Sequence, residues 1–351
     1  MFNFLASIVD VYQLRCNFAV LKKHYMRQMR LLMAAALMAL CMPVVLAGNA
    51  KGGATDEEED DNVINIVAYF CKNDTARYEY VEMKANVTDN DTTLTRRVDR
   101  TSTLIVTDST SHCYMLDFIP GATDITGKKP AVNAALLLQK NLKGERLRLR
   151  LSELGEFQAI DNWNMVVNKM KETTATIADA EERTMFNKYC TYLNQSIESD
   201  ATAAASLFPE ISHLFNCHGL QLTLDESKSF VDSTSFIVPI NFELHAFVDK
   251  EEETGLYLYG LESNSQGDMP TDKVSDLVGV IAKTMGLYEE GKMEEVQDMM
   301  RKFQKNPFKY NGDEYRAYFL DGWPKEIMLK KEIGGEGFMT IDAEYVTEIR
   351  E

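Results

Sequence analysis

His213, Cys217 and His218 are the residues whose types and spacing come nearest to metal chemistry. His213 and Cys217 stand one helical turn apart, close enough to face one ion. No fourth ligand accompanies them, so neither a metal nor any other cofactor is expected. His112 and Cys113 are adjacent, but neighbours on a strand point to opposite faces, which argues against a Cys/His nucleophile pair. No serine sits in a Gly-x-Ser-x-Gly elbow, so the hydrolase signature is missing. Carboxylates are abundant, yet nothing selects two of them as the acid and base of a glycosidase. No catalytic, cofactor-binding or metal-ligating residue is therefore assigned. The chain reads as a protein that binds rather than catalyses, and a hydrolytic enzyme with an unrecognised site ranks third among the readings.

Two further patterns bear on binding. Asp321-Gly322-Trp323-Pro324 is the most distinctive short string. It reads as a β-turn with Trp323 capping the core, the alternative being a ligand platform. Arg146, Arg148 and Arg150 alternate with Leu147, Leu149 and Leu151. On a strand this puts a basic stripe on one face, expected to pair with carboxylates across the sheet, with anion binding as the other option. Asn73, Asn86, Asn90 and Asn194 lie in N-x-Ser/Thr sequons, which matter only in a eukaryotic secretory pathway.

The address of the protein is written in residues 26–50. Arg27 and Arg30 precede an apolar core over 31–46, and Ala47 and Ala50 offer small residues for cleavage. This is the pattern of a secretory signal peptide. Residues 1–25 read as an over-extended start, with Met26 or Met29 as the true initiator. The charge-free run of 31–47 carries Pro43 and is short for a spanning helix. Membrane contact is thus expected only through the leader. Leu40 before Cys41 departs from the small residue a lipobox needs, which argues against lipid anchoring there. A periplasmic or cell-surface location follows as the expectation.

Composition narrows the partners. The formal net charge is −17, and about −21 once the basic leader is set aside. Such a surface repels a phosphate backbone, so no nucleic-acid partner is expected. Four cysteines lie beyond the leader: Cys71, Cys113, Cys190 and Cys217. In an exported chain they are candidates for two disulfides, with three pairings open. Pairing within each segment, Cys71 with Cys113 and Cys190 with Cys217, is the simplest, and four buried thiols are the alternative.

The elements that would position these residues follow in order. Residues 51–61 form an acidic linker that buries nothing, and 62–351 form a single exported domain. Short strands are predicted over 63–70, 77–87, 103–107, 113–118 and 145–151, with turn signals between them, which argues antiparallel pairing. The period then changes to helical over about 160–217, with Pro209 interrupting its last stretch. Strands resume over 220–224 and 235–248, where Pro239 demotes the run to an edge or a bulge. Strand 256–261 follows the acidic turn 251–255 as a hairpin. Residues 271–304 carry the best helical pattern, and strands return over 310–320, 326–332 and 338–349.

The fold class is therefore α+β: a curved, half-barrel-like antiparallel sheet with a helical insertion and one long packed helix. This order of elements, over about 63–350, resembles the periplasmic lipoprotein carriers of the LolA/LolB type and exported proteins of Bacteroidota-like bacteria. The resemblance implies an apolar ligand or lipidated partner covered by the sheet, with Met and aromatic side chains lining it. No family motif matches residue by residue, and the insertion at 160–217 departs from the small carrier fold. The alternative reading is a structural or protein-interaction envelope protein with a filled core.

Overall fold

Long runs of alternating side chains dictate the architecture, because each strand gives one face to a core and the other to solvent. In a computed structural model, which describes residues 62–88, 91–127, 133–232, 239–251, 254–269, 308–335 and 338–349, these runs pair into one open, curved antiparallel sheet of eleven strands. Its strands are β2 (Thr75–Thr88), β3 (Asp91–Ser109), β4 (Cys113–Thr126), β5 (Leu147–Ser152), β6 (Phe157–Ile160), β8 (Ser227–Asp232), β9 (Ile240–Lys250), β10 (Tyr257–Met269), β11 (Phe308–Phe319), β12 (Pro324–Gly335) and β13 (Phe338–Glu348). Spatially they run β6-β5-β4-β3-β2-β13-β12-β11-β10-β9-β8. The last strand in sequence thus closes the gap between β2 and β12.

Among the described residues, four α-helices and a 3₁₀ helix lie on one face. They are α1 (Ala134–Asn141), α2 (Trp163–Thr176), α3 (Ala180–Ser199), the 3₁₀ turn Ala201–Leu207 and α4 (Pro209–Phe215). Asn133 caps α1 by accepting from the Leu136 amide at 2.8 Å, and Asp179 caps α3 through the amides of Glu181 and Glu182. The last helical stretch is interrupted at Pro209: the 3₁₀ turn ends at Leu207, Phe208 is extended, and Pro209 opens α4 as its first residue, where its missing N–H costs nothing. The α+β class and the helical insertion hold, and α1 is an additional helix that the sequence pattern did not reveal. The long helix expected over 271–304, the leader and the linker lie outside the described residues.

Three strand assignments change. Residues 220–224 do not join the main sheet. Their core, β7 (Gln221–Thr223), pairs with β1 (Val63–Asn65) in a separate two-stranded ribbon. The edge is not the run containing Pro239. That proline precedes β9, where no donor is required, and the edge strand is β8. The strand expected at 103–107 is the end of a much longer one, β3, which begins at Asp91.

The main core lies between helices and sheet. Leu104 and Val106 from β3, Leu116 and Phe118 from β4 and Leu147, Leu149 and Leu151 from β5 meet Leu138, Val166, Leu193, Leu207, Phe208 and Leu214 from the helical layer. A second, smaller cluster sits under the ribbon, where Ile64, Ile66 and Leu222 cover Ala246, Leu261 and Tyr318.

An ionic seam beneath the helical layer

Register places an unusual set of side chains on the helix-facing side of the sheet. One row across the strands reads Arg100, Tyr80, Val346, Ile327 and Arg316. The next reads Val98, Glu82, Glu344, Leu329 and Glu314, and the third Arg96, Lys84, Asp342 and Lys331. Charges on a core face are costly unless paired and hydrogen-bonded, and here they are paired. Arg96 bonds Glu82. Lys84 reaches Asp342 at 3.0 Å and Glu82 at 3.7 Å. Arg316 bonds Glu314 and donates to the His213 carbonyl at 2.6 Å.

The deepest pair joins sheet to helix. Arg100 presents its guanidinium fork to Glu210 of α4, with Nε to Oε1 at 2.6 Å and Nη2 to Oε2 at 2.5 Å. Both side chains are fully buried. Its Nη1 donates to Gln139 of α1 at 2.9 Å, and the Gln139 amide donates in turn to the Leu207 carbonyl at 2.7 Å. The rings of Tyr80 and Phe208 sandwich the guanidinium at 5.0 and 4.8 Å. One residue thus ties β3, α1, α4 and the 3₁₀ turn together.

A second tie runs through His213. Its Nε2 lies 2.7 Å from Glu344 Oε2, which also accepts from the Tyr80 hydroxyl at 2.9 Å. Burial is the largest single influence and pushes the Glu344 carboxyl up, but the charge and hydrogen bond of His213, the Lys331 charge and the Tyr80 hydroxyl together outweigh it, and the net shift is down. Glu314 behaves alike, with burial opposed and outweighed by Arg316. With their carboxylates held ionised and paired, Glu344 and Glu314 anchor α4 to the sheet through His213 and Arg316.

The candidate metal residues separate. His213 faces the seam, while Cys217 lies in the small cluster under the ribbon. His218 is buried and donates Nε2–H to the Gly322 carbonyl at 2.9 Å. Among the described residues no group of three potential ligands gathers. Cys71, Cys113, Cys190 and Cys217 stand as free thiols. Cys71 is exposed, Cys190 sits in the main cluster and Cys217 in the second, so the structure does not bring the latter two into one pair. Burial pushes the Cys190 thiol up to about 12 and that of Cys217 in the same direction, which leaves both unreactive.

Trp323 is 7% exposed and stacks on Phe70 at 4.1 Å. Its turn is clamped from several sides. Gly322 adopts φ +85, and a Cβ there would meet the Val67 carbonyl oxygen at 2.3 Å. The Tyr69 amide donates to the Asp321 carbonyl at 2.9 Å, and Tyr78 donates its hydroxyl proton to the Pro324 carbonyl at 2.8 Å. The basic stripe lies on the outer sheet face. Arg146 meets Asp117 at 3.0 Å and Arg150 meets Asp161 at 3.6 Å. Of the sequons, Asn86 is buried and Asn194 accepts from the Trp163 indole at 2.8 Å, whereas Asn73 is exposed in a turn.

His218 carries a pH prediction. Burial lowers its pKa from 6.5 to about 4. The unfolded chain takes up this proton near 6.5, while the folded chain resists until about 4, so the unfolded state binds more protons throughout that window. Stability is expected to fall by about 3 kcal/mol as pH drops through it. Denaturation of His218→Phe should show a flatter profile between the two values, and an unchanged slope would remove His218 as the cause.

No known family profile and no curated protein matches the chain. Among solved structures, one similar chain is lipovitellin, from a structure concerned with its lipid–protein interactions, at TM-score 0.32 and 8% identity. The match covers 80% of this chain and 25% of lipovitellin, so the chain spans about a quarter of that protein's length. Another is an outer membrane channel from Pseudomonas putida F1, at TM-score 0.16 and 8% identity, covering 84% of this chain and 100% of the channel. Among the described residues no helix is long and apolar enough to cross a membrane.

Proposed function

We propose that this is an exported, non-catalytic protein of the cell envelope that acts by binding another protein through its surface. The filled interior carries this reading. On the helix-facing side of β4 and β5, Leu116, Phe118, Leu147 and Leu149 are at 0% exposure, as are Leu207 and Phe208 opposite them. The helical insertion therefore occupies the concavity that a lipoprotein carrier would keep open for its ligand.

The outward face offers the contact surface. Val81, Tyr345, Met328 and Tyr315 stand in direct register across four neighbouring strands, with Met328 36% exposed. The side-chain ties from the helices all go to the opposite face. A Met and aromatic row of this kind is large and adaptable. A second reading, binding of an apolar ligand, is favoured by one observation: Phe230 and Phe242, both half-buried, stack at 5.0 Å on the helix-facing side of the sheet.

Native mass spectrometry of the chain from Gly48, purified without detergent from an exporting host, separates the two. A mass equal to the polypeptide alone is expected. An added mass of lipid size, removed by organic extraction, would overturn the filled-interior reading in favour of the apolar ligand.

A further inference from the structure

The apolar row on the outer face of the sheet has a border of one charge. Val81, Tyr345 and Tyr315 are half-buried and Met328 is 36% exposed. Glu262 follows Tyr315 in the same row. Glu79 and Glu326 lie in the next row, two residues along the strands or about 7 Å away. Among the described residues none of these three carboxylates makes a salt bridge. The neighbouring cations are engaged elsewhere: Lys330 with Glu332 at 2.5 Å, and Arg97, whose charge also reaches Glu79, with Asp99 at 2.6 Å. Burial, and after it the charges of Glu326, Asp249 and Glu262, hold the Tyr315 hydroxyl above the ordinary range of a phenol.

This border selects the partner. A second copy of the chain would set the same carboxylates against each other, and an anionic lipid surface is repelled for the same reason. A cationic segment is attracted. The spacing of the row fits a helix. Neighbouring strands lie about 4.8 Å apart, close to the 5.4 Å pitch of an α-helix. A helix laid across the strands therefore offers about one turn to each, and the distance from Val81 to Tyr315, about 14 Å, takes about ten residues. The apolar stripe of such a helix meets Val81, Tyr345, Met328 and Tyr315 in turn. Lys or Arg on one flank reaches Glu79 and Glu326, and a cation at its end reaches Glu262 across the Tyr315 ring.

We infer that the outer row is the docking site of a basic amphipathic helix belonging to another protein. The inference rests on the protein-binding reading above and names the chemistry of the partner. The apolar row supplies the affinity. The exposed carboxylates add little to it, but they set the sign of the partner and speed its arrival.

Fluorescence anisotropy with two labelled peptides of about 14 residues tests it: one with a leucine stripe flanked by lysines, and its twin with glutamate for every lysine. Binding to the chain from Gly48 is measured at physiological salt, which suppresses long-range attraction to net charge. The lysine peptide should bind and the glutamate peptide should not. Glu79→Lys with Glu326→Lys should weaken the lysine peptide about tenfold or more and admit the glutamate peptide, a gain that also shows the variant to be folded. Glu153→Lys with Glu198→Lys makes the same change in net charge at exposed positions on the β5–β6 turn and α3, and should leave the affinity nearly unaltered. No binding of the lysine peptide, or an equal loss in the two double variants, overturns the basic-helix partner. A lipid mass in the native spectrum bears instead on the filled interior, so the two failures are distinguishable.

Discussion

Glu210→Ala is expected to destabilise the protein by about 3–5 kcal/mol, enough to remove a large fraction of the stability of an ordinary domain. The cause is not the loss of an attraction as such. Arg100 is fully buried, and without Glu210 its guanidinium keeps, among the described residues, only the neutral Gln139 amide within hydrogen-bond reach. A guanidinium cannot shed its proton to escape the cost, so the helical layer would have to lift to admit water. The double variant Arg100→Met, Glu210→Leu separates this from simple loss of packing. Removing both charges together is often neutral or stabilising, so most of the loss should return, apart from about 1–3 kcal/mol for the Gln139 oxygen left without its donor. Urea denaturation of the three proteins checks this. A double variant as unstable as the single one would mean that the pair is not what seats α4.

That pair also shows where sequence reading reaches its limit. The hairpins are legible because turns have local chemistry: Asp321-Gly322 needs a residue free to adopt positive φ, and Thr254-Gly255 follows an acidic run. The stripe of Arg146, Arg148 and Arg150 and its carboxylate partners are legible for the same reason, since strict alternation fixes a face. Residues 91–100 are different. Asp91-Thr92-Thr93-Leu94-Thr95-Arg96-Arg97-Val98-Asp99-Arg100 carries no apolar alternation, yet it is the first half of β3. Its inward positions, Arg96 and Arg100, are charged, so the apolar alternation that marks a buried strand is missing. Their partners, Glu82 and Glu210, lie 14 and 110 residues away, and no local pattern announces them. The same holds for Glu344 and His213, 131 residues apart. The metal-like spacing of His213 and Cys217 was real as a spacing, but the short α4 ends at Phe215. Cys217 therefore leaves the helix before it can share a face with His213.

Function and stability meet in this seam. A carrier of apolar cargo needs an empty, apolar concavity. Here this part of the sheet is covered instead by helices held through ion pairs at Arg100 and Glu344 and through the hydrogen bond from Arg316 to the His213 carbonyl. Such pairs are weak sources of net stability but strong determinants of which surfaces meet, because any other docking leaves a buried charge unpaired. A helical layer fixed in this way fills the space over β4 and β5, and the outer row of Val81, Tyr345, Met328 and Tyr315 is the surface proposed above to meet a partner.

Trp323→Ala is expected to cost a further 3–5 kcal/mol, roughly the loss for a large aromatic removed from a core. Phe70 would lose its stacked neighbour at 4.1 Å. The loss would spread along the turn, where His218 and Tyr78 reach the carbonyls on either side of Trp323, Gly322 and Pro324. A ligand platform makes the opposite prediction: truncating an exposed ring changes stability by little, because surface substitutions usually fall within about 0.5 kcal/mol. Fluorescence decides independently of any unfolding experiment. The chain has two tryptophans, so Trp163→Phe leaves Trp323 as the sole emitter. Its emission should be blue-shifted and resist acrylamide quenching, as burial against Phe70 requires. Red-shifted, freely quenched emission would place the indole in solvent, and Trp323 would then return as a docking platform on the protein's surface.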